Sequence, residues 1–185
     1  MTRVQSSVET PQPADFWQVL AGRRSVRAFE RSQNVSDEQV QQLLQAAIAA
    51  PSAGNMQPWF FYVVRDVEVR RRLAQAAWGQ GFVAEAPVAI VVCAEPERSA
   101  RRYGDRGRDL YCLQDTAAAT ENILLTAVAM GLAACWVGAF DEAAAAQALH
   151  LPPTQRPVAI LPIGHPAESP ARRPRRPLSE VSRSV

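Results

Sequence analysis

Lysine is missing from this chain: all 20 basic residues among its 185 are arginine. The simplest account is a compositional bias, visible also in the alanine-rich segments. The absence still excludes a Walker-type phosphate loop and Schiff-base chemistry, since both need a lysine amine. Histidine is scarce, with only His150 and His165. The three cysteines, Cys93, Cys112 and Cys135, form no CxxC pair. Together these residues cannot supply a recognisable metal site. Two of the thiols lie in apolar runs and are expected to be buried small hydrophobes. An odd count without a framework fits a reducing cytoplasm. No apolar run approaches the ~20 residues that span a bilayer, and the N-terminus lacks the apolar core of a secretory leader. The expectation is a soluble, cytoplasmic protein. A net charge of +2 is too small to point to nucleic acid.

What is present is a globular composition, 48% hydrophobic and 21% charged, enough for one domain with a sizeable core. The expected division is a flexible arm over 1–12, a single domain over 13–181 and a tail over 182–185. Asp15 to Gly22 reads as a short helix with Phe16, Val19 and Leu20 on one face. Ser36 and Gln39 have capping-box spacing, and Val40, Leu43, Leu44, Ala47 and Ile48 follow as one apolar stripe that Pro51 ends. Trp59 to Val64 reads as a strand. Glu68 to Trp78 reads as a helix, and Ala86 to Ala94 as a central strand covered on both sides. Glu95 to Asp109 reads as a charged surface excursion. Leu110 to Met130 reads as a long buried helix, in the core or at a subunit interface, with Gly131 at its end. A strand at Cys135 to Val137, a helix capped by Asp141 and a last strand at Val158 to Ile163 complete the order. The irregular alternation favours an α+β sandwich over a doubly wound sheet. Gly79-Gln80-Gly81-Phe82-Val83-Ala84 matches a loose dinucleotide pattern, but it follows a helix rather than a strand and is set aside.

Four short segments could carry chemistry. In Arg23-Arg24-Ser25-Val26-Arg27, three guanidiniums repel one another unless an anion sits between them, and each fork matches phosphate oxygens. The alternative is a solvated helix end. In Pro51-Ser52-Ala53-Gly54-Asn55-Met56-Gln57-Pro58-Trp59, small residues let backbone approach a ligand. Asn55 and Gln57 there can donate and accept at a heterocycle edge. The alternative is a plain turn. In Trp136-Val137-Gly138-Ala139-Phe140, the N–H groups of Gly138 and Ala139 are unshielded and could stabilise charge on a ring. Arg172-Arg173-Pro174-Arg175-Arg176-Pro177 is either a second arm of a phosphate clamp, a solvated tail or a nucleic-acid patch. A phosphate clamp with a heterocycle cradle is what flavin mononucleotide needs.

From about Phe16 to Val181 the chain resembles the FMN-dependent nitroreductase family, of the NAD(P)H:flavin oxidoreductase type. The resemblance rests on the first three segments, on Asp115, Asn122 and Gly131-Leu132, and on Leu161-Pro162-Ile163-Gly164-His165-Pro166 followed by Arg175-Arg176-Pro177-Leu178. It implies an α+β fold, an α/β/α sandwich around a mainly antiparallel sheet of four to five strands, with a long buried interface helix in a homodimer. It implies FMN binding by Arg23, Arg24, Ser25 and Arg27 at the phosphate and ribityl chain, with Arg173 and Arg175 closing the site. Pro51, Ser52, Ala53, Asn55 and Gln57 would approach the flavin, reaching it from the partner subunit. Val137, Gly138 and Ala139 would lie near flavin N5. The implied reaction moves a hydride from NAD(P)H through the flavin to a small acceptor, a nitroaromatic or quinone, by a ping-pong mechanism. No protein nucleophile is needed, because the cofactor carries the chemistry. Arg98, Arg101, Arg102, Tyr103, Arg106 and Arg108 would either favour an anionic substrate or form a solvated face. Trp78, Phe82 and Tyr103 are candidates for the substrate wall. The competing readings are a flavin-binding protein without efficient NAD(P)H turnover and a nucleic-acid binder acting through the basic tail.

Overall fold

Residues 15–185 are described by the computed structural model. The arm expected at 1–12 and the domain start expected at 13 lie outside the described residues. Asp15 accepts a hydrogen bond from the Trp17 amide at 3.0 Å and opens helix α1 (Phe16–Gly22). Ser36 and Gln39 close the reciprocal capping box that their spacing predicts, and α2 (Asp37–Ile48) follows. Its stripe turns Val40, Leu43 and Ala47 inward. Strand β1 occupies Trp59–Val64. Asp66 caps α3 (Val67–Ala76), and a short α4 (Phe82–Glu85) leads into β2 (Val88–Ala94).

Every residue of β2 is buried. It stands inside a four-stranded sheet of order β1-β2-β4-β3, where β3 is Ala133–Ala134 and β4 is Arg156–Gly164. Each pairing is antiparallel: Tyr62 faces Val91, Val91 faces Ile160, and Ala134 faces Ile163. On one side of the sheet α2 and the longest helix, α6 (Cys112–Ala129), bury Leu43, Ile123, Leu161 and Ile163. On the other, α3, α4 and α7 (Glu142–Leu149) bury Leu73, Val83, Ala145 and Ile160. The result is the expected α/β/α sandwich. With helices on both faces, even an antiparallel strand reads as one apolar run, a pattern commoner in parallel sheets. All three cysteines are buried and free, one more than the two expected from apolar runs, and burial pushes the Cys93 thiol up to about 12. Among the described residues no helix is long and apolar enough to cross a membrane.

Several elements depart from expectation. The excursion expected from Glu95 to Asp109 is largely helical: α5 spans Pro96–Arg106. Pro96 occupies the first turn, where its missing N–H costs nothing. The helix buries only Ser99, so no apolar stripe marked it. Gly104, at φ +56, breaks its geometry, and a π-helical turn at Gly107–Tyr111 leads into α6, which begins at Cys112 rather than Leu110. The strand expected at Cys135 to Val137 forms one step earlier, as β3, and Val137 makes only an isolated bridge to Ile160. Helix α3 stops at Ala76 because Trp78 turns to φ +55. Of the expected inner face of α1, only Val19 is buried. A last short helix, α8 (Leu178–Val181), follows the Arg/Pro segment, which carries no regular secondary structure.

Candidate functional site

Beyond α1 the chain runs beside β3. The Val26 N–H donates to the Ala134 carbonyl at 3.2 Å, and the Glu30 N–H to the His165 carbonyl at 2.9 Å. The Ala167 N–H returns a bond to the Ala28 carbonyl at 3.0 Å. These bonds tie 25–30 to 165–167, so the Arg/Pro segment comes back over the end of α1. Arg23, Arg24, Ser25 and Arg27 thereby line one cavity of about 580 Å³ with Arg172, Arg173 and Arg175. Six arginines face a single carboxylate there, Glu121 of α6, whose Oε1 lies 3.6 Å from Arg23 Nε. The guanidiniums of the other five have no carboxylate within 4.0 Å among the described residues, although the Arg27 backbone N–H donates to Glu168 Oε1 at 2.6 Å. Arg24 is held by the carbonyls of Ala21 and Arg23 at 2.6 and 2.8 Å. By contrast, a cavity of about 610 Å³ near α2 sets Arg31, Arg65 and Arg70 against Glu30, Asp37 and Glu85. Only the first has the unbalanced charge that an anion would neutralise.

The third segment leaves from the same place. Burial raises the pKa of the Cys135 thiol, while Arg27, the neighbouring Ser25 hydroxyl and Arg23 pull it down. The loop to α7 therefore starts beside the arginine cavity. Gln80 Nε2 donates to the Ala139 carbonyl at 3.2 Å, which fixes the loop's orientation. The N–H groups of Gly138 and Ala139 donate to no acceptor among the described residues. Both residues are exposed. Trp78 is 71% exposed, and Phe82 is half-buried with the Arg27 guanidinium 5.8 Å from its ring centre.

Residues 51–57 lie apart from that cavity; Pro51, Ser52, Ala53, Asn55 and Gln57 are absent from its lining. A single turn of 3-10 helix, Ala53–Asn55, is bounded by left-handed backbone at Gly54 (φ +55), Asn55 (φ +56) and Gln57 (φ +51). Side chains hold this strained shape. Ser52 Oγ accepts from the Gln57 N–H at 3.0 Å, and Asp115 Oδ1 accepts from the Ala53 N–H at 3.0 Å. Gln57 folds its own amide back, donating to the Asn55 carbonyl at 3.2 Å, so it is less free to read a ligand than its residue type suggests. Asp115 is buried, and its second oxygen, Oδ2, has no partner. Burial raises its pKa, opposed by the bond from Ala53. Asp115 and Glu121 are six residues apart on α6, about 9 Å along the axis and on different faces. One chain thus assembles the arginine cavity and the Gly138 loop but leaves the 51–57 loop elsewhere.

Sequence reasoning missed the tether from Asp115 and the packing of α5 on the loop. A carboxylate among the small and apolar residues of the Ala/Leu-rich helix was the available signal for the first. For the second, Arg98 Nε donates to the Met56 carbonyl at 2.6 Å and Arg102 Nη1 to the Gly54 carbonyl at 3.4 Å. A Cβ on Gly54 would run into the Tyr103 hydroxyl.

Comparison with known proteins gives the chain a family and close fold neighbours. The model of the Nitroreductase family matches residues 20–85 and 77–165. An NADPH-flavin oxidoreductase of Vibrio harveyi is 32% identical over 171 residues, 89% of this chain and 71% of the relative. An FMN reductase [NAD(P)H] of Bacillus subtilis is 29% identical over 176 residues, 88% of this chain and 70% of the relative. Among solved structures, the NADPH:FMN oxidoreductase of Vibrio harveyi complexed with NAD+ superimposes with a TM-score of 0.83. It is 30% identical, and the match covers 91% of this chain and 76% of that one.

Proposed function

The chain belongs to the nitroreductase family, and from that premise we propose that it is an FMN-dependent oxidoreductase drawing electrons from NAD(P)H. One observation carries the reading: Arg23–Arg27 and Arg172–Arg175, remote in sequence, line a single cavity. A phosphate monoester fits there, because guanidinium forks and the Ser25 hydroxyl match its oxygens and its charge offsets their repulsion. FMN held by these residues would supply hydride transfer at N5, from NAD(P)H to a small acceptor such as a nitroaromatic or quinone, in alternating half-reactions. The residues supply position and electrostatics. Arg23, Arg24, Ser25, Arg27, Arg173 and Arg175 hold the phosphate end. The free N–H groups of Gly138 and Ala139, next to Val137, would face the ring and favour negative charge on it.

The 51–57 loop has no place in the cavity of its own chain, which supports a homodimer in which it serves the partner's flavin. Unpartnered apolar side chains favour the same assembly: Trp17 is 72% exposed, Ile48 55% and Leu178 79%. In this reading 13–181 act as one FMN-binding domain in the cytoplasm.

The test is the visible spectrum of the purified protein, followed by NADH or NADPH without oxygen. Flavin bands that bleach promptly support the oxidoreductase. Flavin bands that persist mean a flavin-binding protein without nicotinamide turnover. No flavin after adding FMN overturns the site.

A further inference from the structure

Helix α5 carries Arg98, Arg101 and Arg102 on one exposed face, within about 100° of helical arc. None has a carboxylate within 4.0 Å among the described residues; the acidic neighbours Glu97 and Asp105 are taken by Arg108. Two of the three are nevertheless fixed. Arg98 donates to the Met56 carbonyl at 2.6 Å, and Arg102 donates to the Gly54 carbonyl at 3.4 Å while lying 5.6 Å from the centre of the Tyr103 ring. A carbonyl orients a guanidinium without cancelling its charge. Each guanidinium has five N–H donors, so most remain free for a further acceptor. Arg98 also stands in the first turn of α5, where the helix dipole disfavours a cation. The helix tolerates that cost on the side that meets the flavin-facing loop.

We propose that Arg98, Arg101 and Arg102 form an anion-reading rim over the 51–57 loop, so that the site favours substrates bearing a carboxylate or phosphate. The inference rests on the functional reading above and names the substrate class of that same site. The anionic group has two sources: the 2′-phosphate that distinguishes NADPH from NADH, and a carboxylate on the electron acceptor. In both cases the rim binds the charged group in bidentate fashion and takes no part in electron transfer.

The experiment compares the holoprotein with Arg101→Gln, Arg102→Gln and the double variant. Arg71→Gln, on the exposed face of α3, removes the same charge far from the loop and controls for net charge. One arm measures the ratio of kcat/KM for NADPH over NADH. A second measures the ratio for 4-nitrobenzoate over 4-nitrobenzyl alcohol. A third measures equilibrium binding of the same nitro compounds by perturbation of the flavin spectrum, which needs no turnover. The double variant is expected to lower at least one of the two rate ratios, and the matching binding preference, by about ten- to a hundredfold. Arg71→Gln should leave both ratios unchanged. A fall in the first ratio alone assigns the rim to the donor's phosphate, and a fall in the second alone to the acceptor's carboxylate. Ratios unchanged in the double variant, or shifted equally by Arg71→Gln, overturn the rim. Failure of the functional reading looks different: wild-type flavin would resist reduction by either nucleotide, while the binding arm would still report on the rim.

Discussion

At the arginine cavity, backbone holds side chains; at the 51–57 loop, side chains hold backbone. The cavity's walls are set by main-chain bonds from Val26, Glu30 and Ala167, and the carbonyls that hold Arg24 and Arg175 orient those guanidiniums without cancelling their charge. The loop is the reverse. Asp115, Ser52, Arg98 and Arg102 bond its amides and carbonyls, and the left-handed backbone at Gly54, Asn55 and Gln57 is kept in place by that scaffold. The cavity is charge-dense and complete within one chain. The loop is neutral, strained and separate. Affinity for a phosphorylated cofactor should therefore reside in the cavity, and orientation of its ring in the loop of a second chain.

The largest expected effect tests that second chain. Ile48, the last residue of α2, is 55% exposed just before the loop. Ile48→Asp would place an unpaired charge in the proposed interface, costing about 3–5 kcal/mol of dimer stability. Sedimentation should show monomer, and FMN should be lost with the dimer. A monomer that keeps FMN would mean the loop serves its own chain. Next, Arg175→Ala or Arg23→Ala should each weaken FMN binding by about 1.5–3 kcal/mol, read by fluorescence titration. Undiminished affinity in both would remove the phosphate from this cavity. Third, Gly54→Ala imposes a left-handed alanine at about 1–2 kcal/mol and pushes Tyr103 aside. Thermal melts should drop, with flavin fluorescence more altered than phosphate competition.

Asp115 sharpens the contrast from beneath the loop. Asp115→Ala leaves the Ala53 amide without its acceptor, a loss of about 1 kcal/mol. Asp115→Asn keeps an acceptor and removes a buried charge. Because burial raises the folded-state pKa, the wild type recovers stability as acid protonates Asp115. The asparagine variant should thus melt higher than wild type at neutral pH, and the gap should close as pH falls towards the carboxylate range. The smallest effect comes from a pair that belongs to neither region. Glu142 and Arg156 pair at 2.8 Å but are nearly half exposed, and the Arg156 hydrogen bond lowers the Glu142 pKa. The pair stabilises above the ordinary carboxylate range and fades as pH drops through the lowered value. Solvent screening limits Glu142→Gln to under about 1 kcal/mol in melts at pH 7, with no difference in strong acid.

The sandwich was legible because its elements announce themselves locally: the Ser36/Gln39 cap, the Asp141 cap and the apolar run of β2. The arginine segments were legible as dense like charge, and the structure brings the two into one cavity. Helix α5 was not, because a helix that buries only Ser99 leaves no apolar period to read. The tether from Asp115 to Ala53 spans 62 positions and depends on how α6 docks beside the loop, which no local pattern records. Strand β3 slipped because two residues are too few to show alternation.

An all-guanidinium cavity has a further consequence. Arginine does not lose its proton in any ordinary buffer, and no histidine lines the cavity. Glu121 apart, nothing in the lining titrates, so near neutral pH the profile of cofactor retention follows the ligand. It should run level through neutral and alkaline solution and decline only near pH ~6, where a phosphate monoester takes up its second proton.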